Sequence, residues 1–199
     1  MIDISRLTQL HAETVDRWHR EPVDTPYTGI WESICRQHGF NFLLWHQEDI
    51  ARSPDVGDAR IAEVKRAIDR FNQQRNDGIE QVDDWFTMDL GARGVQPIDG
   101  ARLATETPGS AIDRLSILAL RLYHLEEQVR RDEVSDEHRQ GVIRKLAVCR
   151  LQQADLTQSL SELLDDIGAG RKRHRTYRQF KMYNDPALNP CLYGATKAA

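Results

Sequence analysis

A helix start followed by a mainly apolar stretch, interrupted by Asp113, Arg114, Ser116 and His124, constrains this chain more than any other feature. In Thr107-Pro108-Gly109-Ser110 the threonine is a good N-cap. Proline sits at the first helical position, where its missing N–H costs nothing. From Leu115 to Leu125 the residues are apolar on most sides, the pattern of a helix enclosed by others rather than lying on a surface. Such a helix needs partners, and the rest of the chain supplies them.

Ile4, Leu7, Leu10, Val15 and Trp18 recur at helical spacing and predict a first helix over 3–20. A second runs over 29–52, and a third over 59–88 with Asp58 as its N-cap. The central helix covers 108–133. Ser135 caps a fifth, which Gly168 and Gly170 end. The connection 91–105 holds Gly91, Gly94, Pro97 and Gly100, and its length marks it as functional or mobile rather than filler. These patterns predict an all-α, single-domain antiparallel helical bundle of about five helices over residues 1–170. Residues 171–199 follow as a basic segment and an ordered, irregular, wrapping tail of the same domain, with Asp185-Pro186 and Asn189-Pro190 as turn signals.

The 199 residues are 40% hydrophobic and 29% charged, ordinary for a folded soluble domain and too apolar for a disordered one. There is no apolar run of about 18 residues to span a membrane, and the first residues lack a signal-peptide apolar region. Cys35, Cys149 and Cys191 are scattered, which argues against a disulfide framework or a zinc site and fits a reducing cytoplasm. Six positive charges and no acid lie within 171–181, which leaves the remainder at −10 against a net −4. That segment can bind a phosphate, fold back on the acidic body, or stay solvated. It carries Tyr177 and Phe180 but no nucleic-acid-recognition signature.

Polar residues interrupt the apolar stripes of the second and third helices. Asn72 and Asn76 lie one turn apart on the packing face of the third, flanked by Asp69 and Arg75. Asn41 shares a face with Trp45 on the second. In a hairpin folded near residues 55–56, Asn72 faces the level of Gly39 and Asp69 faces Phe42, so Asn41 and His46 border the same layer. Buried polar groups cost about 1–3 kcal/mol each unless paired, so this layer is either a register-fixing network or a site. Glu80 and Asp83 have the spacing of half a Mg²⁺-binding acid quartet, but only Glu32 is at hand to face them. No metal ligand set is assigned. The helix start at Thr107–Ser110 either caps itself or receives a phosphate on its free N–H groups. Asp113 and Arg114 follow it directly, open to pairing with a neighbouring helix or to a role in the same site.

Four motifs in order resemble a known bacterial family. They are Trp45-His46-Gln47-Glu48-Asp49, then Ile68-Asp69 with Asn72-Gln73 and Arg75-Asn76-Asp77, then Glu106-Thr107-Pro108-Gly109-Ser110 with Ile112-Asp113-Arg114-Leu115, and Tyr183-Asn184-Asp185-Pro186 with Leu188-Asn189-Pro190. The chain is similar to domain-of-unknown-function family 4254 over nearly its whole length. Ala104 stands where the family pattern has Asn, so no role transfers there. The resemblance implies a cytoplasmic bacterial protein encoded near cell-envelope glycan genes, and it brings no assigned activity or cofactor.

The functional expectation is a protein that binds or processes a phosphorylated or sugar-containing metabolite of envelope-glycan synthesis. Asn41, Asp69, Asn72, Asn76 and Ser110 would hold it by hydrogen bonds, and Arg75 or Arg114 would hold its anionic group. His46 or Asp113 would be the acid/base if chemistry occurs. The alternative is a non-catalytic adaptor that binds a glycosyltransferase or a second copy of itself.

Overall fold

A computed structural model describes residues 2–182 and 185–191. Helix makes up 70% of the structure and, among the described residues, strand only one short pair, so the class is all-α. The elements are α1 (Ile4–Trp18), α2 (Ile30–Ala51), α3 (Asp58–Ala92), β1 (Arg102–Leu103), α4 (Pro108–Arg130), α5 (Asp136–Gly168) and β2 (Lys172–Arg173). Tyr183, Asn184 and residues 192–199 of the expected tail lie outside the described residues.

Local chemistry explains most boundaries. Asp3 accepts from the Ser5 and Arg6 N–H groups to start α1, Thr107 Oγ1 accepts from Ser110 N at α4, and Ser135 Oγ accepts from His138 N at α5. The start of α3 differs from expectation. Gly57 is its N-cap, without a side-chain bond, and Asp58 is the first helical residue. An acid in the first turn still suits the positive end of the helix dipole.

The core draws Leu7, Leu10 and Trp18 from α1, Ile34 and Phe42 from α2, Val82 and Phe86 from α3, Ile112, Leu115 and Leu120 from α4, and Leu160 and Leu164 from α5. Full burial of such a side chain stabilises by about 1.5–3 kcal/mol. A smaller cluster of Leu44, Val64 and Ile68 closes the far end of the α2–α3 pair. Midway along that pair, Gly78 lets α3 approach so closely that a Cβ there would lie 3.0 Å from Gln37 Cβ. The central helix is buried through Leu120, whereas Leu122 and Leu125 are only half-buried.

The long connection after α3 is tied down. β1 pairs in parallel with β2, Ile98 N donates to Gly170 O at 3.0 Å, and Ala104 N donates to Arg173 O at 3.1 Å. Gly170 is required for this: its φ is +71°, and a Cβ would stand 2.4 Å from Gln96 O. The connection thereby sets the direction in which the basic segment leaves the bundle.

Candidate functional site

The polar layer is built on Asp113. Its position in the first turns of α4, facing α2 and α3, leaves the residue 4% exposed. Its Oδ1 accepts from Gln37 Nε2 at 2.5 Å, Asn41 Nδ2 at 2.9 Å and Arg75 Nε at 2.8 Å. Arg75 Nη2 closes a second bond to Oδ2, making a two-pronged ion pair. The pair holds the Arg75 guanidinium more firmly protonated than usual, chiefly through the hydrogen bond to Asp113. One turn on, Ser116 Oγ takes Asn41 Nδ2 at 2.8 Å and sits 2.6 Å from His38 Nδ1. His38 Nε2 lies 3.2 Å from the His11 carbonyl and donates to it. Burial pushes the His38 imidazole down to about 3, so it is neutral. One continuous network therefore links α1, α2, α3 and α4.

Outward from that network lies a cleft of about 490 Å³ lined by Asp69, Asn72, Arg75, Asn76, Ser110, Asp113 and Arg114, together with Ile79, Glu106, Gln179 and Lys181. The α2–α3 pairing and the start of α4 thus bring seven of the sequence candidates around one space. Asn41 lines a second cavity of about 410 Å³, which shares Asn72 and Arg75. His46 lines neither.

The cleft's carboxylates are already partnered. Asp69 pairs with Lys65, Glu106 takes Arg114 Nη1 at 2.8 Å on both oxygens, and Asp113 holds Arg75. The amides of Asn72 and Asn76 and the Lys181 ammonium make no hydrogen bond or ion pair among the described residues. Among the described residues the cleft can therefore offer several hydrogen-bonding groups and one uncommitted positive charge.

Lys181 arrives by a route the sequence left open. The basic segment folds back on the acidic body: Arg171 and Lys172 pair with Asp166, and Arg178 spans Glu80 at 3.1 Å and Asp84 at 2.8 Å. Gln179 N donates to Glu80 Oε1 at 2.7 Å. Glu80 thus anchors the returning segment. No local pattern announces such long-range ion pairs, which is why Gln179 and Lys181 were not among the candidates.

The phosphate reading of the α4 start is corrected by what already sits there. Asp83 Oδ1 accepts from Gly109 N at 2.7 Å, and Thr107 takes the Ser110 N–H. A buried carboxylate of the chain itself fills the anion position, and burial pushes the Asp83 carboxyl up. Ser110 contributes to the cleft through its side of the helix, not through the backbone N–H groups. Gly109 is needed at this approach, because a Cβ would stand 2.6 Å from Ile79 O.

His46 belongs to a different constellation. It meets His19, at the end of α1, and His124 of α4, with one ring nitrogen of each within 4.8 Å of the other two. These residues are too far apart in sequence for their convergence to be read from spacing, and none lines the cleft.

No helix among the described residues is long and apolar enough to cross a membrane. No curated relative and no solved structure matches the chain. The match to a family model spans residues 31–176, from the second residue of α2 to just past β2, and so contains Asp113, its donors and most of the cleft but not Lys181. With well over half its length matched, the chain belongs to the family described as Protein of unknown function (DUF4254).

Proposed function

We propose that the cleft between α3, the start of α4 and the returning basic segment binds a small polar metabolite carrying one phosphate, a sugar phosphate by chemical class. The observation that carries this reading is the set of uncommitted groups facing one space: the Asn72 and Asn76 amides and the Lys181 ammonium. Asn76 is only 8% exposed, and it lines the cleft, so a ligand's hydroxyls can take the place of the cleft water on its amide. Two amides one helical turn apart suit the adjacent hydroxyls of a sugar ring. A single free cation among the described lining residues suits one phosphate rather than a diphosphate. Arg75 and Asp113 act by positioning, since each is the other's partner. The envelope-glycan setting implied by the family resemblance agrees with a sugar phosphate.

A thermal-shift series with inorganic phosphate, glucose 1-phosphate and UDP-glucose tests the reading. A ligand at about 100 times its Kd stabilises by roughly 2.7 kcal/mol, which moves Tm by several degrees in a chain of this size. Glucose 1-phosphate should raise Tm of the wild type and not of Asn72→Ala. Equal shifts in both proteins would remove the cleft from consideration.

The adaptor reading has its own observation. Val148 and Leu151 lie one turn apart on α5 and are 53% and 62% exposed. Light scattering separates it: a concentration-dependent dimer lost in Leu151→Glu favours self-association through α5.

A further inference from the structure

We propose that His19, His46 and His124 form a binding site for a divalent transition-metal ion, Zn²⁺ by the chemistry of its donors, ligated through the three Nε2 atoms. This site is separate from the cleft and does not rest on the reading given to it.

The Nε2 atoms of all three histidines are buried and have no hydrogen-bond partner. A neutral imidazole carries one N–H and one lone pair, and the bond made by one nitrogen fixes the role of the other. His19 Nδ1 lies 2.7 Å from the Val15 carbonyl, which can only accept, so Nδ1 holds the proton and Nε2 the lone pair. His124 Nδ1 lies 2.7 Å from Glu127 Oε2, with the same consequence. Carboxylate and carbonyl acceptors behind a histidine are the usual support of a metal-ligating ring. Two lone pairs thus converge on the third ring in a space that water does not reach, and a cation at their focus satisfies all three.

The geometry is close to what a metal needs. Zn–N bonds of about 2.0–2.1 Å place tetrahedral ligand nitrogens about 3.4 Å apart. The nitrogens here lie within 4.8 Å of one another, so closure asks for ring movements of little more than about 1 Å. The rings are held by aromatic walls: Tyr123 stacks on His19 at 4.2 Å, Trp45 stacks on His124 at 4.9 Å, and Phe42 meets His46 edge-on at 4.4 Å. Burial, and then the neighbouring His19 and His124, keep the His46 imidazole below its ordinary value, which favours the neutral ligating form. Glu127 and Asp49 place negative charge beside the group. Three imidazoles with no carboxylate in the ligating set select Zn²⁺, Co²⁺ or Ni²⁺ over Mg²⁺ or Ca²⁺. Three protein ligands leave a fourth position for water or a small anion. The site would also fasten the end of α1 to α2 and α4.

The test uses full-length, tag-free protein freed of metal by a chelator, titrated calorimetrically with ZnCl₂. One equivalent should bind saturably. His46→Ala and His124→Ala should each weaken binding by about 100-fold or more, and Glu127→Gln by about 10–100-fold through loss of the support to His124. Co²⁺ should give visible absorption bands that Zn²⁺ displaces, MgCl₂ should have no effect, and Cys191→Ser should leave the stoichiometry at one. If a histidine variant does not fold, ¹⁵N spectra of the wild-type imidazoles serve instead, with the Nε2 signals of these three histidines moving on Zn²⁺ addition and the other four staying. Absence of saturable Zn²⁺ binding, binding unchanged in the histidine variants, or movement of other histidines alone would overturn the proposal.

Discussion

Replacing Asp113 by alanine removes the acceptor on which three elements converge, and the structure allows the loss to be sized. The carboxylate takes four hydrogen bonds, two of them from Arg75. Breaking a buried ion pair by removing one partner costs about 3–5 kcal/mol. The Arg75 side chain is 25% exposed and borders the cleft, so water resolvates part of the stranded guanidinium and places the cost near the lower end, about 3 kcal/mol. Asp113→Asn keeps the shape but sets an amide donor against an Arg75 donor, for a loss of about 2 kcal/mol. Urea unfolding followed by helical circular dichroism reads both. With a slope of about 2 kcal/mol/M, Asp113→Ala should lower the midpoint by about 1.5 M with the slope unchanged. The Asp113→Ala/Arg75→Met pair should lose less than the sum of its singles, because each single strands the other's partner. A loss below about 1 kcal/mol for Asp113→Ala, or strict additivity with Arg75→Met, would refute the view of this pair as a desolvated unit.

Other outcomes follow from neighbouring contacts. Gly109→Ala should destabilise by about 1–3 kcal/mol in the same assay, because its Cβ would press on the Ile79 carbonyl, which is backbone and cannot swing away. His38 is neutral in the fold and titrates ordinarily when unfolded, so the unfolded chain binds the extra proton below about pH 6.5. Its contribution is complete above that pH and declines as pH falls towards about 3. Two-state fits should show about 2 kcal/mol less stability at pH 5 than at pH 7 from this residue alone, with His11, also lowered by burial, acting in the same direction. His38→Gln should flatten that dependence, and an unchanged slope would contradict the assignment.

How much of this could be read in advance depended on whether the cause was local. Helix starts at Thr107 and Ser135 and the stop at Gly168 are set by capping within a few residues, and they stand where the sequence put them. The Asn72–Asn76 spacing placed two polar groups on one face, and the hairpin turn brought that face to the start of α4. The Arg178 bridge to Glu80 and Asp84 joins segments distant in the chain, so the arrival of Lys181 had no local signature. No local pattern marks Gln37, yet the close approach at Gly78 buries it against Asp113. The meeting of His19, His46 and His124 depends on how three helices pack, which spacing within any one of them does not encode.

The cleft itself is tested most directly by watching its side-chain amides. The NH₂ resonances of Asn72 and Asn76, assigned with Asn→Ala variants, can be followed by ¹H–¹⁵N spectroscopy while glucose 1-phosphate is added. The account predicts that both move together and saturate, and that Lys181→Ala weakens binding at least about tenfold, the worth of a charged hydrogen bond. Resonances of Asn72 and Asn76 that stay fixed through millimolar glucose 1-phosphate, inorganic phosphate and UDP-glucose would contradict it.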